Sequence, residues 1–363
     1  MVGLVLVTAN ATHSTSRLNA SEPLQVRNDA EFTAFFQRTS GWVAGDGALS
    51  VPLSDGRVLW LFGDSHIDDY DAATATMPCL FQARNAGIIH SKKDLRNPQT
   101  LIGKGPVFKS WFKNSTNEDY WFWPVTGFQN GSVVYVYLAA MRKTGTGGQW
   151  GFESAGHDFW GKVKFPEMSE ISYEPLPPFQ GITFGQGFIN EGKYTYAFGG
   201  KGNGKLGSDL FVARFESRKP EIKWNFWNGK SWGKNVTNAV PIARGASTSI
   251  HVCKVRDKFV LLTSAFSIAC DQGRDIFIST SASPTGPFSP LKKIFTVDDA
   301  FEGHYPFFYF PVAHPEFINE RDELLVTYSI NGYEPCVSAC VKGRAIPDHY
   351  RPKAIRVPLA MIK

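Results

Sequence analysis

Ala48-Leu-Ser-Val-Pro-Leu53, followed by Ser54-Asp-Gly-Arg57 and Val58-Leu-Trp-Leu-Phe62, has the sequence of a β-hairpin. Two apolar runs flank a short polar segment that contains Gly56. A hairpin turn favours glycine because glycine adopts positive φ without steric cost. An isolated hairpin cannot bury both of its faces, so this one must pack between other sheets.

The same pattern recurs four times, which points to a repeat architecture. The other turns are at 129–132, 190–193, 256–258 and 319–322, in steps of roughly 60 to 75 residues. The last two lack a turn glycine, so we expect them to be longer or differently built. Each hairpin precedes a further strand-like run, and these runs are at 86–90, 158–163, 209–215, 275–279 and 354–358.

A meander repeated five times predicts an all-β fold, the five-bladed β-propeller, over residues 41–363, with residues 1–40 as an N-terminal arm. A two-sheet sandwich is the competing all-β fold, but it needs only about 100 residues. The chain has 29 Phe, 12 Tyr and 10 Trp. We expect most of these aromatic side chains to pack between adjacent blades.

Charge and hydropathy exclude several classes of function. The net charge is +5, and the basic residues are scattered rather than grouped, so we expect no nucleic-acid partner. No run of 18 apolar residues is present, so we expect no membrane insertion. The glycine-rich segments 145–148 and 199–204 do not join a strand to a helix, and they do not predict nucleotide binding.

Two features favour a secreted, glycosylated protein. Residues 1–8 form a short apolar run, either the remnant of a signal peptide or a first strand. Five Asn-x-Ser/Thr tripeptides are present, at Asn10, Asn19, Asn114, Asn130 and Asn235.

The number of cysteines is odd, which leaves at least one thiol free or paired with another chain. The sequence allows two disulfides, Cys253 with Cys270 and Cys336 with Cys340, and the fifth cysteine is Cys79. The alternative is that the cysteines are buried thiols that pack as small apolar side chains.

Residues eight or nine positions before each turn should meet at one mouth of the propeller, where ligands of this fold usually bind. These positions hold Asp46, Trp121–Trp123, Thr183–Gln186, Ser247–Ser249 and His314. The loops after the second strands add Asp64, His66, Arg84 and Asn85. Carboxylates, amides, Arg and Trp at one rim suit a carbohydrate, because aromatic rings stack on sugars and polar groups bind hydroxyls.

Several segments resemble a known family: Gly45-Asp-Gly47 through Phe62-Gly-Asp64, Arg84-Asn-Ala-Gly-Ile88, Ser281-Ala-Ser-Pro-Thr-Gly-Pro-Phe288 and His314-Pro-Glu-Phe317. They look like secreted five-bladed propellers that include microbial endo-D-arabinanases and, more distantly, the arabinanase, xylosidase and fructosidase propellers. The resemblance covers about residues 40–360. It implies hydrolysis of a glycan by carboxylates at the axial mouth, with Asp46 carried over as base or nucleophile.

The predicted catalytic residues are Asp46, Asp64, His314 and Glu316. A glycosidase needs one carboxylate as base or nucleophile and one acid of raised pKa. The acid could be Glu316 or His314, and both could reach the channel because i and i+2 share a strand face. The predicted substrate-binding residues are His66, Arg84, Asn85, Trp123, Gln186, His251, His304 and Tyr305.

Two other functions stay open. A uronate polysaccharide lyase could use His251, His314, Tyr305, Arg84 and Asn85, with His or Tyr as the base and Arg or Asn at the acid group. A non-catalytic propeller could bind the sugar without cleaving it. We expect a monomer with a carbohydrate ligand and no required cofactor. Propellers of this kind often hold a structural cation in the axial channel, which the His and carboxylate side chains could bind.

Overall fold

Five antiparallel sheets follow one another along the chain and form a five-bladed β-propeller. The computed structural model describes residues 24–104, 109–113, 119–145, 151–221, 223–332 and 337–362. A short strand and a helix precede the first blade: β1 (Arg27–Asn28) and α1 (Ala30–Phe35). The predicted fold class is confirmed.

The strands of the first two blades are the following. Blade 1 contains β3 (Leu49–Pro52), β4 (Arg57–Phe62), β7 (Ala86–Ser91) and β8 (Gln99–Leu101). Outside this sheet, β2 (Trp42–Gly45) pairs with β5 (Ser65–Ile67), and β6 (Met77–Pro78) belongs to a second two-stranded sheet. Blade 2 contains β9 (Tyr120–Asn130), β10 (Val133–Lys143), β11 (Phe152–Ser154), β12 (Phe159–Lys164) and β13 (Ile171–Pro175).

The other three blades continue in chain order. Blade 3 contains β14 (Thr183–Glu191), β15 (Tyr194–Gly202), β16 (Ser208–Glu216), β17 (Asn225–Trp227), β18 (Trp232–Gly233) and β19 (Ala243–Gly245). Blade 4 contains β20 (Ile250–Val255), β21 (Lys258–Ser264), β22 (Asp275–Ser281) and β23 (Lys292–Thr296). Blade 5 contains β24 (Phe307–His314), β25 (Glu323–Asn331) and β27 (Lys353–Pro358), whereas β26 (Arg344–Ala345) pairs with β6 in the second two-stranded sheet.

The hairpin turns follow the glycine pattern in the first three blades. Gly56, Gly131 and Gly192 have φ of +84°, +59° and +73°. Blade 4 has an equally short turn, with Arg256 at φ +54° in the position that glycine takes elsewhere. The fifth turn is long: it spans residues 315–322 and begins with a 3₁₀ turn.

Five hydrophobic clusters lie between neighbouring blades and close the ring. The interfaces of blade 2 with blade 3 and of blade 5 with blade 1 are rich in aromatic rings, centred on Trp160 and Trp60. The other three interfaces are built mainly from Leu, Ile and Val. Aromatic packing between blades is therefore confirmed at two interfaces, while aliphatic side chains dominate the other three.

The last blade contains a strand from the start of the chain. β1 pairs with β27, as Arg27 with Arg356 and Asn28 with Ile355, and so forms the outer edge of the fifth sheet. Arg27 makes two hydrogen bonds to the carboxylate of Glu323, of 3.0 and 2.6 Å. These contacts hold the predicted arm against the last sheet.

The Arg27–Glu323 ion pair should make stability depend on pH. The hydrogen bonds from Arg27 lower the pKa of Glu323 from 4.5 to about 2. Because the folded-state pKa is depressed, the stabilisation is complete above the unfolded pKa and is lost as pH falls towards 2. We expect Glu323→Gln to lower the free energy of unfolding by about 1 kcal/mol at neutral pH, since the 46% exposed Arg27 side chain is screened by solvent.

Urea unfolding at neutral pH and near pH 2 measures this effect, with Glu320→Gln at an exposed position as the control. The difference between wild type and Glu323→Gln should shrink strongly at the acid end, where Glu323 is neutral in the unfolded state and about half protonated in the folded state. An equal difference at both pH values would show that the ion pair is not its cause.

A disulfide between Cys79 and Cys340 ties blade 1 to blade 5. It lies beside the pairing of β6 with β26, which joins the same two segments. Cys270 is also disulfide-bonded, and Cys253 is a buried free thiol. Because Cys253 is free and Cys340 is bonded to Cys79, the predicted pairings of Cys253 with Cys270 and of Cys336 with Cys340 are wrong. The observed disulfide joins segments that are distant in sequence, whereas both predicted pairs were close in sequence.

Two tripeptides for N-glycosylation lie on described residues. Asn235 is exposed and caps a 3₁₀ turn, and Asn130 is half-buried at the end of β9. Asn10, Asn19, Asn114 and residues 1–8 lie outside the described residues. In the part of the chain that the structure describes, no helix has the length and apolar content that a membrane crossing needs.

Candidate functional site

A cavity of about 1140 Å³ lies where the five blades meet. Every blade contributes side chains to its wall, among them Asp46 and Asp64, Trp123, Gln186, His251 and Tyr309. Such a cavity is large enough for several sugar units, and it brings together residues that are far apart in sequence.

Asp46 lies in the connection between β2 and β3, and its backbone is held on both sides. The carbonyl oxygen of Asp46 accepts a hydrogen bond from the amide of Gly63 at 2.9 Å. The amide of Gly47, whose φ is +103°, donates to Ser329 Oγ at 3.0 Å. A side chain at Gly63 would clash with the carboxylate of Asp46, so the Phe-Gly-Asp sequence needs glycine there.

Two tyrosine hydroxyls hold the carboxylate of Asp46. Tyr309 Oη donates to Asp46 Oδ2 at 2.7 Å, and Tyr350 is a second hydrogen-bond donor. Burial raises the pKa of Asp46 above its usual value, and the two hydroxyls oppose that rise because they bind the ionised form. Burial also raises the pKa of Tyr309 and of Tyr350, so both hydroxyls stay protonated donors.

Asp64 is the second buried carboxylate of the cavity. Trp123 Nε1 donates to Oδ1, and a guanidinium nitrogen of Arg84 donates to Oδ2, both at 3.2 Å. Burial raises the pKa of Asp64 from 3.8 to about 7, and the nearby charge of Asp46 adds to the rise, although Arg84 and Trp123 oppose it. A carboxyl group with this pKa carries a proton in a large fraction of molecules at neutral pH.

Arg84 is held between two aromatic rings. Its guanidinium carbon lies 4.1 Å from the centroid of Trp121 and 4.7 Å from that of Phe81. This stacking fixes the plane of the guanidinium group and directs it to Asp64. Arg84 is therefore placed to orient Asp64 and to keep its pKa from rising further.

β-Bulges shape the wall of the cavity in three of the innermost strands. The pairing register shifts next to Val125 in β9, at Gly185–Gln186 in β14 and at Phe310–Pro311 in β24. Gly185 has φ of +101° and Phe310 of +48°. Bulges interrupt the strand alternation, and residues from all three lie on the cavity wall, including Gln186.

Several buried polar groups of the cavity wall have no hydrogen-bond partner among the described protein atoms. They are His66 Nδ1, Trp121 Nε1, His251 Nδ1, Ser267 Oγ and His349 Nδ1. Burying a polar group without a partner costs about 1–3 kcal/mol, so such groups usually meet water or a ligand. Their concentration around this cavity leaves several polar groups on its wall that water or a ligand can satisfy.

Most of the sequence-predicted residues come together here. The cavity is lined by Asp46, Asp64, His66, Arg84, Trp123, Gln186 and His251. Burial lowers the pKa of His251 to about 4, so its ring is neutral at ordinary pH.

Three predicted binding residues lie elsewhere. Asn85 is fully buried and binds the backbone of Phe112 and Phe122, so it joins blade 1 to the segment before blade 2 and to β9 of blade 2. His304 and Tyr305 lie in an exposed loop, where Asp271 accepts hydrogen bonds from both. None of the three is on the cavity wall.

His314 and Glu316 also lie away from the cavity wall. His314 is completely buried, with Nδ1 2.6 Å from Ser50 Oγ and Nε2 2.8 Å from Thr327 Oγ1, and Ser50 also donates to Glu316. β24 ends at His314, so Glu316 lies on a 3₁₀ turn rather than on the same strand face. His314 lies five positions before the fifth turn at 319–322, not eight or nine, and it is the last residue of β24, whereas Tyr309 lies further back on this strand and lines the cavity.

Tyr309 and Tyr350 were not predicted as site residues, and Trp121 was expected at the mouth but was given no role. Tyr309 has a sequence signal, since it is as far from the end of its strand as the cavity residues of other blades. Tyr350 comes from a 3₁₀ turn after β26 and has no comparable signal.

The predicted axial cation has no ligand set in the described part of the chain. No group of three or more His, Cys, Asp and Glu side chains there is arranged to hold a metal ion. His314, which is buried behind the cavity wall, has both ring nitrogens hydrogen-bonded to hydroxyls. These residues do not fit a metal ion, and we derive no step through one.

A family model described as a domain of unknown function, DUF5005, matches residues 29–358. The chain belongs to the DUF5005 family. The match begins at residue 29, directly after β1, and runs to the end of β27, so it includes all five blades. No curated protein matches the sequence.

Several solved structures are similar to this DUF5005 protein, and the one with a TM-score of 0.70 shares its fold. A protein of Bacteroides ovatus ATCC 8483, whose assignment as a hydrolase is provisional, is 19% identical over 92% of both chains, with a TM-score of 0.70. An exo-β-1,3-galactanase of Phanerochaete chrysosporium is 10% identical over 88% of this chain and 65% of its own, with a TM-score of 0.49. An α-L-arabinofuranosidase of Lactobacillus brevis is 14% identical over 92% and 91%, with a TM-score of 0.47.

Proposed function

We propose that this DUF5005 protein is a glycoside hydrolase whose acid and base are Asp64 and Asp46. The observation that carries the proposal is the pair of buried carboxylates in one cavity, of which Asp64 has a pKa of about 7. Glycosidases use one protonated and one ionised carboxyl group. The resemblance of the first-blade motif to endo-D-arabinanases favours a furanoside as the first substrate to test.

The environments of the two carboxylates assign their roles. Tyr309 and Tyr350 donate to Asp46, which favours its ionised form, and the charge of Asp46 favours the protonated form of Asp64. Asp64 donates its proton to the glycosidic oxygen as the bond from that oxygen to the anomeric carbon breaks. Asp46 either attacks the anomeric carbon or takes a proton from the attacking water.

The rest of the wall suits a carbohydrate. Trp121, Trp123 and Phe152 present aromatic rings next to the carboxylates, and Gln186 adds an amide. The unpartnered groups of Trp121, Ser267 and the three histidines can bind hydroxyls, which both donate and accept. This combination of flat apolar faces and unsatisfied polar groups is typical of sugar-binding sites.

The lyase alternative has less support. Of its five residues, only His251 and Arg84 line the cavity, whereas His314, Tyr305 and Asn85 are held elsewhere. Arg84 already binds Asp64, so it is not available for a substrate carboxylate without breaking that pair. We keep the non-catalytic binding protein as the outcome that the experiment must exclude.

Product release from a panel of polysaccharides tests the proposal. We expect new reducing ends without the ultraviolet absorbance of an unsaturated uronate, and no release by Asp46→Asn. Asp158→Asn is the matched control, because Asp158 is also buried, has a raised pKa and accepts a tyrosine hydroxyl, from Tyr137 at 2.5 Å, but lies off the cavity wall. Growth of the absorbance would establish a lyase, and glycan binding without any product would establish a binding protein.

We also propose that the protein is secreted and acts outside the cell. The disulfide of Cys79 with Cys340 and the cross-linked Cys270 support this, because disulfides persist in oxidising compartments. A reducing-end assay on culture medium and on cell extract, together with a glycosidase mobility shift for Asn235, tests where the protein is found.

A further inference from the structure

Three exposed aliphatic side chains lie around the opening of the cavity. Leu80, Ile268 and Ile346 are 77%, 45% and 47% exposed, and all three belong to its wall. We call these three residues the mouth collar. Among the described residues only eight large hydrophobic side chains are exposed to this degree, so the collar holds three of the eight.

A disulfide, a strand pairing and a hydrogen bond fix the segments that carry the collar residues. Leu80 follows Cys79, which is bonded to Cys340, and Ile346 follows β26, which pairs with β6. The amide of Ile268 donates to Gln272 Oε1 at 2.7 Å. Single exposed apolar residues are common and need no explanation, but apolar side chains fixed around one opening indicate a contact surface.

A ligand that fills the cavity would contact both the carboxylates of Asp46 and Asp64 and the mouth collar. Asp46 and Asp64 are buried within the cavity, whereas the collar is in contact with solvent, so polarity changes from the base to the opening. Phe81 and Phe266 also line the wall and are half-buried. A ligand that fills the cavity therefore presents a sugar to the carboxylates and an apolar group to the collar.

We propose that the mouth collar is a subsite for an apolar aglycone, so that the substrate is a glycan linked to a hydrocarbon or aryl group. Cleavage of such a substrate rests on the proposed hydrolase function. Binding of its apolar group at the mouth collar can be measured without cleavage. The collar contacts methylene groups, and each CH₂ group removed from water strengthens binding about fourfold.

Binding of methyl and octyl glycosides of one sugar tests the subsite, below the micelle concentration and by calorimetry on the Asp46→Asn protein. The sugar is the one that the panel shows to be cleaved, or D-arabinofuranose if none is cleaved. We expect the octyl glycoside to bind at least about tenfold more tightly than the methyl glycoside. Adding Leu80→Ser, Ile268→Ser and Ile346→Ser together should reduce that ratio to about threefold or less.

Leu206→Ser is the matched control, because Leu206 is 60% exposed and does not line the cavity. Equal binding of the two glycosides, an unchanged ratio in the triple variant, or no binding of either overturns the subsite. Collar-dependent sedimentation of the protein with phosphatidylcholine vesicles, without a chain-length effect on binding, would replace the aglycone by a membrane surface.

Hydrolysis of the same two glycosides by the wild-type protein separates this inference from the proposed function. Cleavage of both at equal rates, without a difference in binding, leaves the hydrolase and removes the subsite. A chain-length effect on binding without any cleavage leaves the subsite and removes the hydrolase.

Discussion

Asp64→Asn and Asp46→Asn should each lower kcat/KM for the cleaved glycan by about 10²–10⁴-fold. Asn has nearly the shape of Asp, but it cannot donate a carboxyl proton or carry a negative charge. Because Asp64 acts in its protonated form, wild-type activity should fall as pH rises through its pKa of about 7. The remaining activity of Asp64→Asn should lack that alkaline limb.

The measurement is kcat/KM over the pH range for wild type, both variants and Asp158→Asn, with unfolding curves for each protein. Asp158→Asn should keep the activity and the alkaline limb, since its carboxyl group lies outside the cavity. Arg84→Met removes the cation that lowers the pKa of Asp64, so its alkaline limb should move to higher pH. An alkaline limb that persists in Asp64→Asn would show that another residue is the acid.

Trp160→Ala should lower the free energy of unfolding by about 3–5 kcal/mol. Trp160 is completely buried between blades 2 and 3 and lies edge-on to Tyr135, Tyr137 and Phe128, with ring centroids 5.7–5.8 Å apart. Removing the indole leaves a cavity between blades 2 and 3. Because the blades are held in a closed ring, these two cannot move together to fill it. Chemical denaturation measures the loss.

Trp160→Phe is the informative comparison for this prediction. Phenylalanine keeps most of the ring contacts and removes Trp160 Nε1, which has no hydrogen-bond partner among the described atoms. We expect its cost to be about 1 kcal/mol, well below that of alanine. If the two variants were equally destabilised, the loss would not come from the cavity.

Local sequence patterns predicted much of the fold, because each blade repeats one hairpin. The turn glycines Gly56, Gly131 and Gly192 lie where positive φ is needed, and the third strands lie where apolar runs follow the hairpins. The motif with Asp46 and Asp64 placed both carboxylates in one cavity, since its hairpin belongs to the innermost part of blade 1.

The parts that were not predicted depend on contacts between distant segments. His314 was expected at the mouth, but it is the last residue of β24 and is completely buried, with its ring bound by Ser50 of the first blade and by Thr327. Tyr350 reaches Asp46 from a segment outside the repeat. The bond from Cys79 to Cys340 joins the first blade to the last, which spacing between neighbouring cysteines cannot reveal.

The pairing of β1 with β27 has a consequence for folding. Residue 27 pairs with residue 356, so the fifth sheet cannot be completed before β27 has been synthesised. Until β1 docks, the backbone of β27 is an open edge that can pair with other chains. Closure depends on the most sequence-distant contacts in the molecule and is therefore expected to be slow and late. The period before it is when a newly made chain is most exposed to aggregation.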